Sequence, residues 1–160
     1  MTVRVTQKVR TRIKVKAPPI EPAPSPPLFF SEWYANLIAI DSKPCFLFCE
    51  ATTLFSVIKS ARGINDRVSF ERLATDVLFE QLTSSGNVDT RIFEKLAGSV
   101  TLLNTDNRRI TASMNRIAFE AQWFADDPDG LNDLINGYLD FHSPREAAGK
   151  AAATISVDDY

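Results

Sequence analysis

The sequence predicts an α+β fold in which a small antiparallel sheet packs against three to four helices. Trp33 to Ile40 and Cys45 to Cys49 are rich in strand-forming residues, and Asp41-Ser42-Lys43-Pro44 between them has the composition of a turn. Helices are predicted from Phe70 to Leu82 and from Asp106 to Phe124, because apolar residues recur there at helical spacing.

Length and composition set the class of protein. A chain of 160 residues with a net charge of -2 fits one domain, and about two-thirds of its unfolded surface is expected to become buried. The pI near 5.4 argues against a general nucleic-acid binder, which would need a broad basic face. No apolar run approaches the ~20 residues that span a bilayer, and the N-terminus lacks a signal-peptide core. We therefore expect a cytoplasmic protein with no membrane contact.

Charge and proline content divide the chain into four segments. Residues 1–16 hold cations and no acid, and we predict a basic N-terminal strand or arm. Residues 17–30 are predicted to be a stiff proline-rich linker that separates this arm from an α+β core domain at residues 31–125. Residues 126–160 are predicted to form an acidic helical segment and a mobile C-terminal tail.

Several shorter elements follow from local patterns. The apolar residues of the first segment alternate as in a strand but also keep helical spacing, so residues 7–16 stay open between strand and helix. Thr53 to Ala61 is ambiguous, although its apolar spacing favours a helix. A strand is predicted from Ser99 to Leu103, and short helices at residues 89–97 and 131–139.

Two arginines lie at the start of the predicted helix after Asp106. A first helical turn carries partial positive charge, so Arg108 and Arg109 need a counter-charge, and Asp106 is the nearest candidate. The arginines and the free N–H groups of a helix start also make this a candidate anion site. One reading is a structural cap with a surface ion pair; the other is a nucleic-acid or anion-binding regulatory module that also uses the basic N-terminal arm.

An uncharged polar stripe runs along the same predicted helix. Buried amides must be hydrogen-bonded, and the Trp33 strand offers a partner. The predicted structural polar network consists of Asn36, Asn104, Asn107, Thr111 and Asn115.

Residues suited to catalysis or to metal binding are scattered. Cys45 and Cys49 would point to one face of a strand about 13 Å apart, too far for a disulfide within it. His142 is the single histidine and is distant from both cysteines in sequence. We expect no enzymatic activity, no cofactor and no metal site.

Two Leu-Phe pairs are candidates for protein recognition. Leu28-Phe29 follows the prolines, and a short motif in such a stiff context loses little entropy on binding. The alternative is that this pair folds back as the first contact of the core. Leu54-Phe55, preceded by Thr52 and Thr53, is predicted to be buried.

Some motifs of this chain resemble those of a known family. Trp33-Tyr34-Ala35-Asn36-Leu37, Asn104-Thr105-Asp106-Asn107-Arg108 and Ser113-Met114-Asn115 resemble motifs of an uncharacterised family of small bacterial proteins. The chain is also similar to the SocB-type toxins of bacterial toxin–antitoxin pairs. That similarity implies a non-enzymatic toxin that blocks DNA replication by binding the DNA polymerase sliding clamp through a Leu-Phe motif. It also implies a cognate antitoxin that delivers the toxin to the ClpXP protease. The implied contact residues are Leu28 and Phe29, or Thr52, Thr53, Leu54 and Phe55.

Overall fold

The computed structural model describes residues 1–16, 30–84, 100–124, 126–134 and 142–154, together with residues 91, 94, 96, 98 and 139. The strands are β1 (Thr2–Val5), β2 (Glu32–Ile40), β3 (Lys43–Glu50), β4 (Ser56–Ser60) and β5 (Thr101–Asn104). The helices are α1 (Gln7–Ile13), α2 (Arg67–Ser84), α3 (Arg108–Glu120) and α4 (Pro144–Thr154), with 3-10 turns at Ala121–Phe124 and Pro128–Asp133. The strands form one sheet in the order β4-β3-β2-β1-β5.

Strands β2, β3 and β4 form an antiparallel meander. Ile40 pairs with Lys43 across Asp41 and Ser42, whose φ angles of 47° and 62° are those of a tight hairpin turn with both central residues left-handed. The hairpin predicted from the sequence is confirmed.

Strand β1 lies inside the sheet, between β2 and β5, and runs parallel to both. Val3 and Val5 are buried, so the segment predicted as a basic strand or arm begins with an internal strand that is part of the core. The α+β class is confirmed, but the sheet is mixed rather than antiparallel. The physical reason is that β1 and β2 are separated by a helix and a long connection, and parallel neighbours need such a crossover.

The segment after β1 is helical, which decides the choice left open for residues 7–16. Val9 and Ile13, four residues apart, lie on the same side of α1, and both are buried. Lys14 ends the helix in a left-handed conformation with φ 58°.

The segment from Thr53 to Ala61 is not helical, contrary to the favoured prediction. Leu54 turns the chain with φ 56°, and Ser56–Ser60 then pairs with β3. Val57 and Ile58 contact opposite faces of the sheet, as alternate strand residues do. Pairing with an available neighbouring strand outweighs the weak helical spacing.

Helices cover both faces of the sheet. The first face, which carries Val3, Val5, Trp33, Phe46 and Phe48, packs against α1, α2 and part of α4. The second face, which carries Tyr34, Leu47 and Cys49, packs against α3 and the 3-10 turns. The two predicted long helices and their buried stripes are confirmed.

The C-terminal prediction was partly wrong. Residues 144–154, expected to be mobile, form α4, and Ala148, Ala151 and Ala152 pack against the core of the first face. Residues 155–160 lie outside the described residues, as do residues 17–29 and 135–138. Of the helix predicted at 89–97, Arg91, Glu94 and Leu96 are described and are helical, and the strand predicted at Ser99–Leu103 is confirmed as β5.

Candidate functional site

The sheet has a topological switch between β1 and β5. These strands are adjacent and parallel, but the helix after β1 packs on the first face whereas the helix after β5 packs on the second. In open sheets, ligands bind in the crevice outside the carboxyl ends of such strands. A cavity of about 350 Å³ lies there and is lined by Thr105, Asp106, Asn107, Arg108, Thr111, Ala112 and Asn115. We refer to it as the β1–β5 cleft.

A fully buried arginine lies beneath this cleft. Arg4 of β1 has no exposed surface, and its Nε donates to Oε1 of Glu32 on the neighbouring strand. Its Nη1 donates to the main-chain carbonyl of Asn104 at 3.1 Å and lies 3.2 Å from Oδ2 of Asp106. The charge of Arg4 therefore compensates two carboxylates, one within the sheet and one at the cleft.

Tyr34 holds the other oxygen of Asp106. Its hydroxyl donates to Oδ1 at 2.7 Å. Burial, and then the hydrogen bond to Asp106, raises the pKa of Tyr34 well above its ordinary value, so the hydroxyl keeps its proton. Asp106 is thus bound at both oxygens by residues from two strands.

The carboxylate predicted to pair with the arginines of α3 binds Arg4 and Tyr34. The sequence suggested Asp106 as their counter-charge, but its carboxylate faces Arg4 and Tyr34. Arg108 and Arg109 are exposed, and the first turn of α3 contains no acid. Within the described part of the chain, the Arg108 side chain has no hydrogen bond or ion pair. It stands at the mouth of the cleft with its charge available to a ligand.

Asn107 caps α3. Its Oδ1 accepts from the main-chain N–H groups of Arg109 and Ile110 at 2.9 and 3.3 Å. Thr111 donates to the carbonyl of Asn107 at 2.9 Å. These local bonds fix the start of the helix that lines the cleft.

The structure shows local hydrogen bonds and surface positions for members of the predicted polar network. Oδ1 of Asn36 accepts from Thr6 at 3.0 Å and from the N–H of Leu37 at 2.9 Å, and Asn115 is exposed. The polar stripe of α3 faces the cleft rather than the Trp33 strand. Periodicity places residues on one face of a helix but does not say what that face meets.

The Leu54-Phe55 pair is buried, as predicted, with Leu54 fully enclosed. Thr52 and Thr53 donate their hydroxyl and main-chain hydrogens to Oε2 of Glu50, at distances of 2.7 to 3.0 Å. These bonds hold the turn before β4. Leu28 and Phe29 lie outside the described residues.

The cysteines lie on one face of β3, as predicted. Burial raises the pKa of Cys49 to about 12 and raises that of Cys45, so both favour the thiol over the reactive thiolate. Among the described residues no group of three or more His, Cys, Asp or Glu could hold a metal ion. None of the helices in those ranges has the length and apolarity to cross a membrane.

Sequence reasoning missed Arg4, Glu32 and Tyr34. Arg4 alternates with valines and carries a charge, which is the usual signature of the solvent side of a strand. A second helix covers that side here, so only the tertiary fold shows that Arg4 is buried. The hydrogen bond that joins Tyr34 to Asp106 spans 72 positions of the chain and has no local signal.

Residues 2–149 match the family described as "Domain of unknown function (DUF6933)". The chain belongs to this family. The match begins within β1, so the DUF6933 domain includes the segment whose composition suggested a separate arm. No curated protein and no solved structure matches the chain.

Proposed function

We propose that this DUF6933 domain is a non-enzymatic regulatory module that binds an anionic ligand in the β1–β5 cleft. The observation that carries the proposal is the position of Arg108 at the cleft, beside a helix start and without a carboxylate partner in the described residues. A guanidinium group and a helix start both favour negative charge.

The surroundings of the cleft support an anion rather than a cation. Arg4 and Tyr34 bind the Asp106 carboxylate, which reduces its repulsion of a bound anion. Thr111 and Asn115 add neutral hydrogen-bonding groups to the lining. The proposal does not use the N-terminal cations as an arm, since β1 is an internal strand and Arg4 is buried.

Titration calorimetry with inorganic pyrophosphate at two salt concentrations tests this proposal. Arg108→Ala is expected to weaken binding by at least about tenfold, the effect of losing one charge-assisted hydrogen bond. Arg62→Ala is the matched control because Arg62 is also exposed and lies outside the cleft lining. Equal affinities for the two variants, or no binding by the wild type, contradict the proposal.

The second candidate function is the sliding-clamp toxin implied by the resemblance to SocB-type proteins. Of the two Leu-Phe pairs, Leu54-Phe55 is enclosed in the core, and a clamp could reach it only after local unfolding. The burial of Leu54-Phe55 therefore favours Leu28-Phe29 as the clamp-binding pair. Under this proposal the partners are the DNA polymerase sliding clamp, a cognate antitoxin and the ClpXP protease.

A binding assay with purified sliding clamp tests the second candidate. Leu28→Ala/Phe29→Ala is expected to abolish binding, whereas Val68→Ala/Phe79→Ala is expected to retain it. The control pair is also apolar and exposed, at 74% and 48%. Clamp binding by a folded Leu28→Ala/Phe29→Ala variant would exclude this pair as the motif.

A further inference from the structure

Two aromatic side chains on the outward side of α3 and of the 3-10 turn that follows it are not used by the core. Phe119 is 64% exposed and Trp123, in the following 3-10 turn, is 73% exposed. Their ring centroids lie 5.2 Å apart with the planes at 72°. Isolated exposed apolar residues are common, but an exposed aromatic pair on one helix face offers a surface for a flat ligand.

These aromatics continue a line of polar and basic residues. Arg108, Asn115, Phe119 and Trp123 follow one another at steps that keep them on the solvent side of α3, opposite the buried Ile110, Met114 and Ile117. We call this surface the α3 stripe, and we include Arg116, which is exposed beside it. From Arg108 to Trp123 the stripe runs roughly 23 Å at the helical rise.

The charges along the stripe favour an anionic partner. α3 contains a single acid, Glu120, and its Oε1 lies 3.3 Å from Nε of Arg116. Arg108 adds a cation at the cleft end. Asp126 and Asp127 are exposed beyond Trp123 and so limit the favourable surface at that end.

We propose that the α3 stripe binds single-stranded nucleic acid. Its bases would stack on Phe119 and Trp123, and its phosphates would approach Arg116 and Arg108, ending in the β1–β5 cleft. Proteins that bind single strands combine aromatic platforms with a basic track in this way. The inference rests on the proposed anion-binding function and names its ligand class.

Single strands fit this surface better than a duplex or an acidic protein segment does. A duplex hides its base faces from side chains, so the two aromatics would gain no stacking partner. An acidic peptide could pair with the arginines, but it offers no array of flat rings to Phe119 and Trp123. A short basic track of this kind also agrees with an overall charge of -2, which excludes only a broad basic face.

The test uses the full chain and a labelled single-stranded thymidine 12-mer in fluorescence anisotropy. Phe119→Ala/Trp123→Ala is expected to weaken binding at least about fivefold, because base–aromatic stacking contributes at this level for each base. Phe79→Ala is the matched control, since Phe79 is an exposed aromatic residue on α2. Trp123 supplies an independent signal: its fluorescence is expected to be quenched by the oligonucleotide, whereas Trp33 is buried.

Probes without bases, together with duplex probes, distinguish single-stranded nucleic-acid binding from the proposed anion binding. Polyphosphate is expected to bind in an Arg108-dependent manner that Phe119→Ala/Trp123→Ala does not change. If polyphosphate binds in this way but the 12-mer binds no tighter, or ignores the aromatic substitutions, the nucleic-acid inference is overturned and anion binding stands. Binding of a 12-base-pair duplex or of polyglutamate that is tighter than binding of the single-stranded 12-mer also overturns the nucleic-acid inference. Failure of every probe overturns both proposals.

Discussion

Arg4 shows how one side chain can join two strands and a loop. It is completely buried, and its guanidinium contacts Glu32 on β2, the carbonyl of Asn104 on β5 and Asp106 after β5. Burying charges costs solvation free energy, and good geometry with several hydrogen bonds is needed to offset this cost. The arrangement therefore stabilises one particular register of β1 between its neighbours.

Replacing Arg4 tests this role. Arg4→Met keeps much of the side-chain length but leaves Glu32 buried without its cation, and we expect a loss of about 3–5 kcal/mol in the free energy of unfolding. The double variant Arg4→Met/Glu32→Leu is expected to recover part of this loss, because Glu32 is then no longer a buried carboxylate without its cation, while Asp106 keeps its hydrogen bond from Tyr34. Urea unfolding measures both effects. A double variant no more stable than Arg4→Met would show that the ion pair is not the source of the loss.

Glu50 predicts a specific pH dependence. Its buried carboxylate accepts hydrogen bonds from Phe30, Thr52 and Thr53, but desolvation outweighs them and raises the pKa of Glu50 above its ordinary value. A group whose pKa is higher in the folded protein contributes its full stabilisation at pH values below its pKa in the unfolded chain. This contribution is lost as the pH rises through its pKa in the folded protein. Glu50→Gln cannot titrate. The advantage of the wild type over this variant should therefore be greatest below the ordinary glutamate pKa of about 4.3 and shrink as the pH is raised toward neutral.

Urea unfolding of both proteins across this range measures the difference. Other carboxylates titrate equally in the two proteins and cancel. A difference in unfolding free energy that stays constant with pH, or grows as pH rises, contradicts the assigned direction of the Glu50 shift.

At the scale of elements, α3 was the part best predicted from the sequence. Its buried face follows from Ile110, Met114 and Ile117, whose spacing needs no knowledge of the rest of the fold. Strand β4 was predicted poorly because apolar residues such as Val57 and Ile58 fit a buried helix as well as a buried strand. Pairing with β3 decides the outcome there, and pairing partners are not a local property.

The cap of α3 gives a prediction at this scale. Asn107→Ala removes the acceptor for two main-chain N–H groups and is expected to lower the unfolding free energy by about 1 kcal/mol. Asn107→Asp keeps an acceptor oxygen at the same position, so it is expected to retain most of the stability. Thermal unfolding followed by circular dichroism compares the three proteins. Equal losses in both variants would contradict a capping role.

At the scale of the whole molecule, the N-terminal strand links two parts of the sheet. β1 pairs with β2 on one side and with β5 on the other, and Val3 and Val5 contribute to the core of the first face. The family match from residue 2 agrees with a domain that includes this strand. The β1–β5 cleft consequently depends on the very beginning of the chain.

Deletion of residues 1–6 tests this dependence. Without β1, β5 loses its hydrogen-bonded neighbour and Asp106 loses Arg4, so we expect loss of the cooperative unfolding transition in circular dichroism. Lys8→Ala is the control for removal of N-terminal charge alone, since Lys8 is exposed on α1, and it is expected to unfold like the wild type. A cooperative transition at the wild-type temperature in the deletion variant would rule out an essential role for β1.

Local sequence patterns were enough to predict the α+β class, the hairpin of β2 and β3, the long helices and the burial of Leu54-Phe55. The class, the hairpin and the helices follow from periodicity and turn composition, which act over a few residues, and the burial of the Leu-Phe pair follows from its apolar character. Packing between distant segments was needed to establish that β1 is an internal strand, that Arg4 is buried, and that the polar stripe of α3 faces a cleft. These features arise where distant segments meet, and burial there depends on which element covers a residue rather than on the residue type.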